Sequence, residues 1–240
     1  MVEDANKRLS AAQEDYIRSI SKLAEAGGTI TISALAGKMK VRSPSVSVMV
    51  QRLEKEGLVF HPSRSELRLT SRGQEIALNI HRRHRLIETF LVNVLGFDWS
   101  EVHEDAEILE HHLSDRLVRA IDRYLGHPQV DPHGHPIPSP EGKVITRNLV
   151  PLESLVVGGR ATIREVSSDD PERIRRWKEL GLVPGAEVRV VERQPLDGTW
   201  LLDVAGTPVM TGHQGVTGLF VERNEPARKS EDTSGPDDDV

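Results

Sequence analysis

No cysteine occurs in the 240 residues, which removes disulfides, thiolate metal ligands and a cysteine nucleophile from consideration. Aromatic residues are scarce at 4%, and hydrophobic residues reach only 37%, so each core must be small and built of Leu, Val, Ile and Ala. No run of about 18 uncharged apolar residues exists, which excludes an ordinary membrane-spanning helix. Met1 to Ser10 is polar and lacks the apolar centre of a secretory signal. These absences lead to the expectation of a cytoplasmic protein with no membrane attachment. The length fits one large domain or two to three small ones.

The net charge of −6 misleads until it is divided along the chain. Thr31 to Arg72 holds eight Lys/Arg against three Glu, a local balance of +5. Glu101 to Asp115 holds six acids and no Lys or Arg, and the tail from Glu225 holds six acids against two basic residues. Basic charge belongs to one module and acidic charge to others.

Turn and cap signals divide the chain further. Leu9 to Ala26 reads as a helix with Ser10 as its cap and Gly27-Gly28 as its stop. Ser33 is expected to cap a short helix to Met39. Ser43-Pro44 then opens a helix to Glu56, with Ser at the cap, Pro in the first turn and Gly57 as terminator. Val46, Met49, Val50 and Leu53 give it a buried stripe. Leu58–Phe60 and Leu67–Leu69 flank Pro62-Ser63-Arg64-Ser65 as a hairpin. Thr70-Ser71 caps a long helix to about Leu95, and two more fit Glu101–Leu113 and Ser114–Leu125. His127 to Pro140, with five prolines and three histidines, suits only a linker on a defined path. From Leu155 to Glu222 short β-like runs separated by turns predict a small barrel, and Asn224 to Val240 reads as a disordered tail.

Helix, short turn, helix and hairpin make a winged helix-turn-helix pattern. Its second helix carries small hydroxyl residues at its start, Ser43, Ser45 and Ser47 beside Pro44, which allow close approach to DNA. Ser33, Arg42, Arg52, Lys55 and Arg64 complete the expected DNA-facing set. Few of these side chains can make bidentate base contacts, so DNA shape is expected to carry much of the specificity.

The acidic segment His103 to His112 places His103, Glu107 and His111 at i, i+4 and i+8 of a helix, with Glu110 alongside. His84 and Glu88 are also four apart. With no Lys or Arg nearby in sequence, a divalent cation is the natural counter-charge. Oxygen and imidazole donors without sulfur suit Mn²⁺ or Fe²⁺. Catalysis finds little support: position 107 is Glu where H-E-x-x-H needs a second His, and no phosphate loop or nucleophile elbow occurs. The expectation is therefore a regulator and not an enzyme. A metal sensor acting through protein partners is the competing class.

Five segments together resemble the diphtheria-toxin-repressor family of iron- and manganese-dependent regulators, in its longer form with a C-terminal SH3-like domain. They are Glu14–Arg18, Ser43–Ser47, His84–Glu88, Glu107–Ser114 and Asp131–Pro138. The resemblance implies a mainly α protein: a winged helix-turn-helix at 1–72, a helical dimerisation and metal-binding domain with linker at 73–142, an SH3-like β-barrel at 143–223 and a tail at 224–240. It implies a homodimer on a palindromic double-stranded DNA operator, acting mostly as a repressor. It implies a primary metal site of Asp15, Glu107, Glu110 and His111, and an ancillary site of His84, Glu88, His103 and Glu165. Glu107 stands where iron-type members have Cys, which favours Mn²⁺ over the alternative Fe²⁺. Arg18 stands where short manganese-type members carry an acidic ligand, and Ser168 replaces a Gln ligand of iron-type members. By this reading, metal binding shifts the dimer toward its operator-binding arrangement.

Overall fold

The computed structural model describes residues 9–25, 27–62, 66–168, 170–194 and 198–224. The chain divides into two compact units, 1–146 and 147–240. No helix among the described residues is long and apolar enough to cross a membrane.

The first unit begins with α1 (Ala11–Glu25), capped by Ser10, whose Oγ accepts from the Gln13 amide while the Gln13 side chain accepts from the Ser10 amide. Helical spacing puts Ala12, Tyr16, Ile20 and Leu23 on one side of α1, but Ala12 is exposed and Leu23 half-buried. Tyr16, Ile17 and Ile20 are buried, and Gln13, Glu14 and Arg18 are buried beside them. A three-residue turn at 40–42 joins α2 (Ile32–Met39) to α3 (Ser43–Lys55), with Lys40 in the left-handed region. Two expected caps are corrected. Thr31, not Ser33, caps α2, its hydroxyl accepting from the Ala34 amide, and Ser33 lies within the helix. Ser43 is the first helical residue of α3, where Arg42 occupies the cap position without a side-chain hydrogen bond. Gly57, with φ +70°, ends α3 as expected.

The wing consists of β1 (Val59–Phe60) paired antiparallel with β2 (Arg68–Leu69). Arg64, expected at its tip, lies outside the described residues. Thr70 then caps α4 (Ser71–Leu95), a 25-residue rod. Its first half closes the winged-helix core through Ala77 and Ile80, which join Ile17, Ile20, Leu35, Val46, Val50, Leu53, Leu58 and Leu67. Its second half supports two smaller cores, Leu86 with Val118, Ile121 and Ile137, and Ile87 and Leu91 with Val102 and Ala106. One helix thus carries both the winged-helix part and the helices α5 (Val102–Glu110) and α6 (Asp115–Tyr124).

Helix α5 is shorter than its periodicity suggests. It stops at Glu110 because Ser114 caps α6, its Oγ accepting from Leu117, and the chain must turn through 111–113 to reach that cap. The proline-rich stretch follows the fixed path expected of it: Arg82 and Arg85 donate to the carbonyls of Pro138 and Pro136, and Val130 bridges Pro136.

The second unit is a six-stranded antiparallel sheet of β3 (Val150–Pro151), β4 (Arg160–Val166), β5 (Glu187–Arg193), β6 (Trp200–Val204), β7 (Thr207–Thr211) and β8 (Leu219–Arg223), in the order β3-β8-β4-β5-β6-β7. Alternating burial along β6 places Trp200, Leu202 and Val204 in its core. Helix α7 (Pro171–Glu179) was not expected from the sequence. It buries only Ile174 and Trp177, one turn apart in a charged segment, so hydrophobic periodicity cannot reveal it. Its signals were the Asp170 cap and Pro171 in the first turn. Trp177 is fully buried, and its Nε1–H donates to the Gly215 carbonyl at 2.8 Å.

Candidate metal centre

Helices α1, α4 and α5 converge on one polar cluster. Asp15 comes from α1, His84 and Glu88 from α4, and His103, Glu107 and Glu110 from α5, with His111 just past its end. The expected single stripe of His103, Glu107 and His111 is not what forms. Because α5 ends at Glu110, the His111 ring turns away from His103 and toward α1. Its Nδ1 is 2.7 Å from Glu14 Oε2, and its Nε2 is 3.1 Å from Asp15 Oδ1 and 3.5 Å from Glu110 Oε1. Both ring nitrogens face carboxylate oxygens, and a lone pair on either is repelled unless a proton or a metal ion stands between.

Two donor groups result. Asp15, Glu110 and His111 each offer an atom within 4.8 Å of the others, as do His84, Glu88 and His103. They share a direct link, since His84 Nδ1 lies 2.7 Å from Glu110 Oε2 while His84 Nε2 lies 3.0 Å from both Glu88 Oε1 and His103 Nδ1. Glu110 is wholly buried, and its other oxygen, Oε1, receives no hydrogen bond. A buried carboxylate oxygen left without a hydrogen bond is costly, even with the Arg18 guanidinium 3.2 Å away. It faces Asp15 and His111, so the donor set fits a divalent cation.

The expectation of a cluster without basic neighbours is corrected by the tertiary structure. Arg18, one turn beyond Asp15, is buried within it, with Nη2 2.5 Å from Glu107 Oε1 and Nη1 3.2 Å from Glu110 Oε1 and 3.4 Å from His84 Nδ1. Arg83 pairs with Glu14 at 2.9 Å. Glu107 is thereby held by Arg18 and, at 3.4 Å, by His103, and it stands apart from the Asp15–Glu110–His111 trio.

The ionisation of the cluster follows from these contacts. Burial raises the Asp15 carboxyl above its ordinary value, with His111 and Arg18 opposing. The His103 hydrogen bond, against partial burial and together with Arg18, holds Glu107 far below the usual carboxylate range. Burial opposes the charged form of Glu88, but His84, His103 and His133 hold it well below the ordinary value. Burial likewise opposes the charge on His84 and His103. Glu88 and Glu110 for the first, and Glu107 and Glu88 for the second, win and raise both.

A third constellation escaped the sequence reading. Asp131, His133 and His135 also lie within 4.8 Å of one another. Asp131 Oδ1 accepts from the His133 and His135 amides, and His133 Nε2–H donates to the Trp99 carbonyl at 2.7 Å. His133 Nδ1 is 3.8 Å from Glu88 Oε2, at the margin of the His84 group. Its signal was the Asp-x-His-x-His spacing inside a segment read as linker and quoted only for the family resemblance.

Of the residues expected to face DNA, Ser33 and those at the start of α3, Arg42, Ser43, Pro44 and Ser45, are exposed, as are the neighbouring Val41 and Val48. Ser47 is half-buried and donates to the Ser43 carbonyl, Lys55 is exposed, and Arg52 is paired with Glu56 at 3.3 Å. In the second unit, Glu165 pairs with Arg147 at 3.2 Å, and Ser168 Oγ accepts from the Asp170 amide.

Comparison with known proteins bears on all of these segments. Residues 8–67 match the iron dependent repressor N-terminal DNA binding domain, 70–139 its metal binding and dimerisation domain, and 150–213 the FeoA domain. The iron-dependent repressor IdeR of Mycobacterium tuberculosis is 35% identical over 216 residues, covering 85% of this chain and 90% of that protein. The chain belongs to the iron-dependent repressor family.

Manganese regulators are also among this family member's relatives. The HTH-type transcriptional regulator MntR of Listeria welshimeri is 35% identical over 121 residues, covering 49% of this chain and 84% of that protein. A manganese-dependent transcriptional repressor solved in complex with manganese superposes with a TM-score of 0.83 at 35% identity, covering 88% of this chain and all of the other. The family resemblance read from the sequence and the fold class expected from it are both correct.

Proposed function

We propose that this protein is a metal-dependent transcriptional repressor that responds to Mn²⁺. The observation that carries the metal part is the buried Glu110, whose Oε1 has no hydrogen bond and lies 3.5 Å from His111 Nε2, which Asp15 of α1 also faces at 3.1 Å. A divalent ion, when bound, supplies the positive charge that these donors share. Asp15, Glu110 and His111 would hold it, with Glu107 as a further ligand once free of Arg18. His84, Glu88 and His103 would form the ancillary site, and the resemblance adds Glu165 to it. Oxygen and imidazole donors with no thiolate favour Mn²⁺, with Fe²⁺ as the alternative.

Asp15 belongs to the helix that packs under the DNA-binding core, whereas Glu110 and His111 belong to the helical layer beyond α4. Drawing the two together fixes the winged helix relative to that layer. An arrangement that binds metal more tightly is populated in proportion to that difference in affinity. Ile108, Leu109, Leu117 and Tyr124 leave α5 and α6 with exposed apolar side chains, which we assign to contact with a second copy of the chain. A twofold dimer presents two recognition helices and calls for a palindromic operator.

Arg42, Ser43, Pro44, Ser45 and Ser47 would enter the major groove, with Val41 and Val48 against thymine methyls. Ser33, Arg52 and Lys55 would meet phosphates, as would Arg64 on the sequence reading. Such a protein acts on DNA in the cytoplasm, and no catalytic step is assigned to it.

The deciding experiment is fluorescence-anisotropy binding to a palindromic promoter fragment, titrated metal by metal with metal content measured in the same samples. Binding should require Mn²⁺ and vanish with a chelator, and equal binding without metal would overturn the mechanism. Arg42→Ala should weaken binding and lower the slope of log K against log salt by about 1. An unchanged slope would remove Arg42 from the phosphate contacts.

A further inference from the structure

We propose that Arg18 is a resident counter-ion of the metal centre: its guanidinium pairs with the carboxylates that would hold the ion, so this one side chain sets the metal concentration at which the site fills. The inference rests on the metal reading above and concerns the regulation of that site.

Three observations carry it. First, Arg18 is buried in the centre of the cluster and touches both donor groups: Glu107 and Glu110 through its two terminal nitrogens, and His84 through Nη1. A planar fork suits this position, because two carboxylates on successive turns of α5 receive one nitrogen each. Second, the contact with Glu110 is an ion pair without hydrogen-bond alignment, since Oε1 lies 3.2 Å from Nη1 and is still not hydrogen-bonded. Arg18 neutralises that oxygen without satisfying it. Third, the pairing of Arg18 with Glu107 is the tighter one, and it holds that carboxylate away from Asp15, Glu110 and His111.

A cation bound by Glu110 Oε1 at about 2.1 Å, the distance usual for small hard ions, lies within about 5.3 Å of Nη1 if Arg18 stays in place. Two positive charges that close, in a site screened by three helices, repel strongly. Either Arg18 withdraws and gives up its pairs with Glu107 and Glu110, or the ion is bound against that repulsion. Both routes weaken metal affinity, and both stabilise the metal-free protein. The two effects have one cause and opposite signs, which separates a counter-ion from an arginine that merely packs.

The test measures Mn²⁺ affinity of the full chain by competition with a fluorescent chelator, alongside thermal denaturation of the metal-free protein. Arg18→Gln removes the charge but keeps a hydrogen-bonding side chain. It should lower the metal-free Tm and tighten Mn²⁺ binding by about tenfold or more. Arg18→Lys, whose compact ammonium can hold only one of the two carboxylates well, should tighten binding by a few-fold and provides the measurement if the glutamine variant does not fold. Mn²⁺ affinity that is unchanged or weaker in the foldable variant overturns the proposal. No saturable Mn²⁺ binding by the wild-type chain overturns the metal reading itself, so the two failures are distinguishable.

Discussion

Replacing Glu110 by Gln changes one atom in the centre of the cluster and tests its electrostatics directly. The side chain has no solvent exposure, with Oε2 2.7 Å from His84 Nδ1 and Oε1 3.2 Å from Arg18 Nη1. Gln fills the same volume but removes the negative charge that both partners face. Leaving one member of a buried pair without its partner costs about 3–5 kcal/mol. At about 2–4 °C per kcal/mol for chains of this size, the metal-free protein should lose at least about 6 °C in Tm. The second effect concerns metal. Wild-type protein at Mn²⁺ about 100-fold above its dissociation constant should gain about 2.7 kcal/mol, or roughly 5–11 °C. Glu110→Gln should lose most of that gain, because an uncharged amide oxygen binds a hard cation more weakly than a carboxylate does. Paired thermal melts with Mn²⁺ and with chelator, followed by circular dichroism, measure both. A variant that keeps more than half of the wild-type Mn²⁺ shift would refute the assignment of Glu110 as a ligand. A metal-free Tm within a degree or so of wild type would refute the electrostatic account.

Two further outcomes are expected. His84 and His103 are held above the ordinary imidazole value of 6.5 against the effect of burial. Their stabilisation of the metal-free fold is therefore complete below 6.5 and is lost as pH rises through the raised values. Mn²⁺ affinity should rise across the same window, because ligands must shed protons to bind. Melts and chelator competition between about pH 6 and about pH 8 should thus give opposite slopes, and a pH-independent affinity would contradict the ligand set. Separately, a Cβ at Gly73 would fall 2.1 Å from the Leu58 carbonyl oxygen, where α4 crosses the wing. Gly73→Ala should cost about 1–3 kcal/mol by chemical denaturation, and a neutral effect would show that α4 can move away from the wing.

How much of this was legible from the sequence differs from element to element. Helix α3 could be read from its start at Ser43-Pro44, its stripe of Val46, Val50 and Leu53, and its stop at Gly57, because those signals are local. The same holds for α4 from Thr70 to Gly96. Helix α7 could not be read, because two buried residues in nine leave no periodicity. In the site, the donors of α4 and α5 stood out by spacing, while Asp15 was reached only through the family resemblance.

By itself the sequence determined the absence of thiol chemistry, the basic winged-helix module and the oxygen-and-imidazole donor types. Each depends on composition or on residues a few positions apart. Only the tertiary structure decided how those donors are shared out. The end of α5 at Glu110 turns His111 toward Glu14 and Asp15, nearly a hundred positions earlier in the chain. Packing of α1 against α4 then brings Arg18 between Glu107 and Glu110. On a helical projection, Glu14 and Arg18 resemble an ordinary solvated face. Their charges gain meaning only once burial lowers the local dielectric and brings partners within reach, and no local pattern encodes which helix will do so.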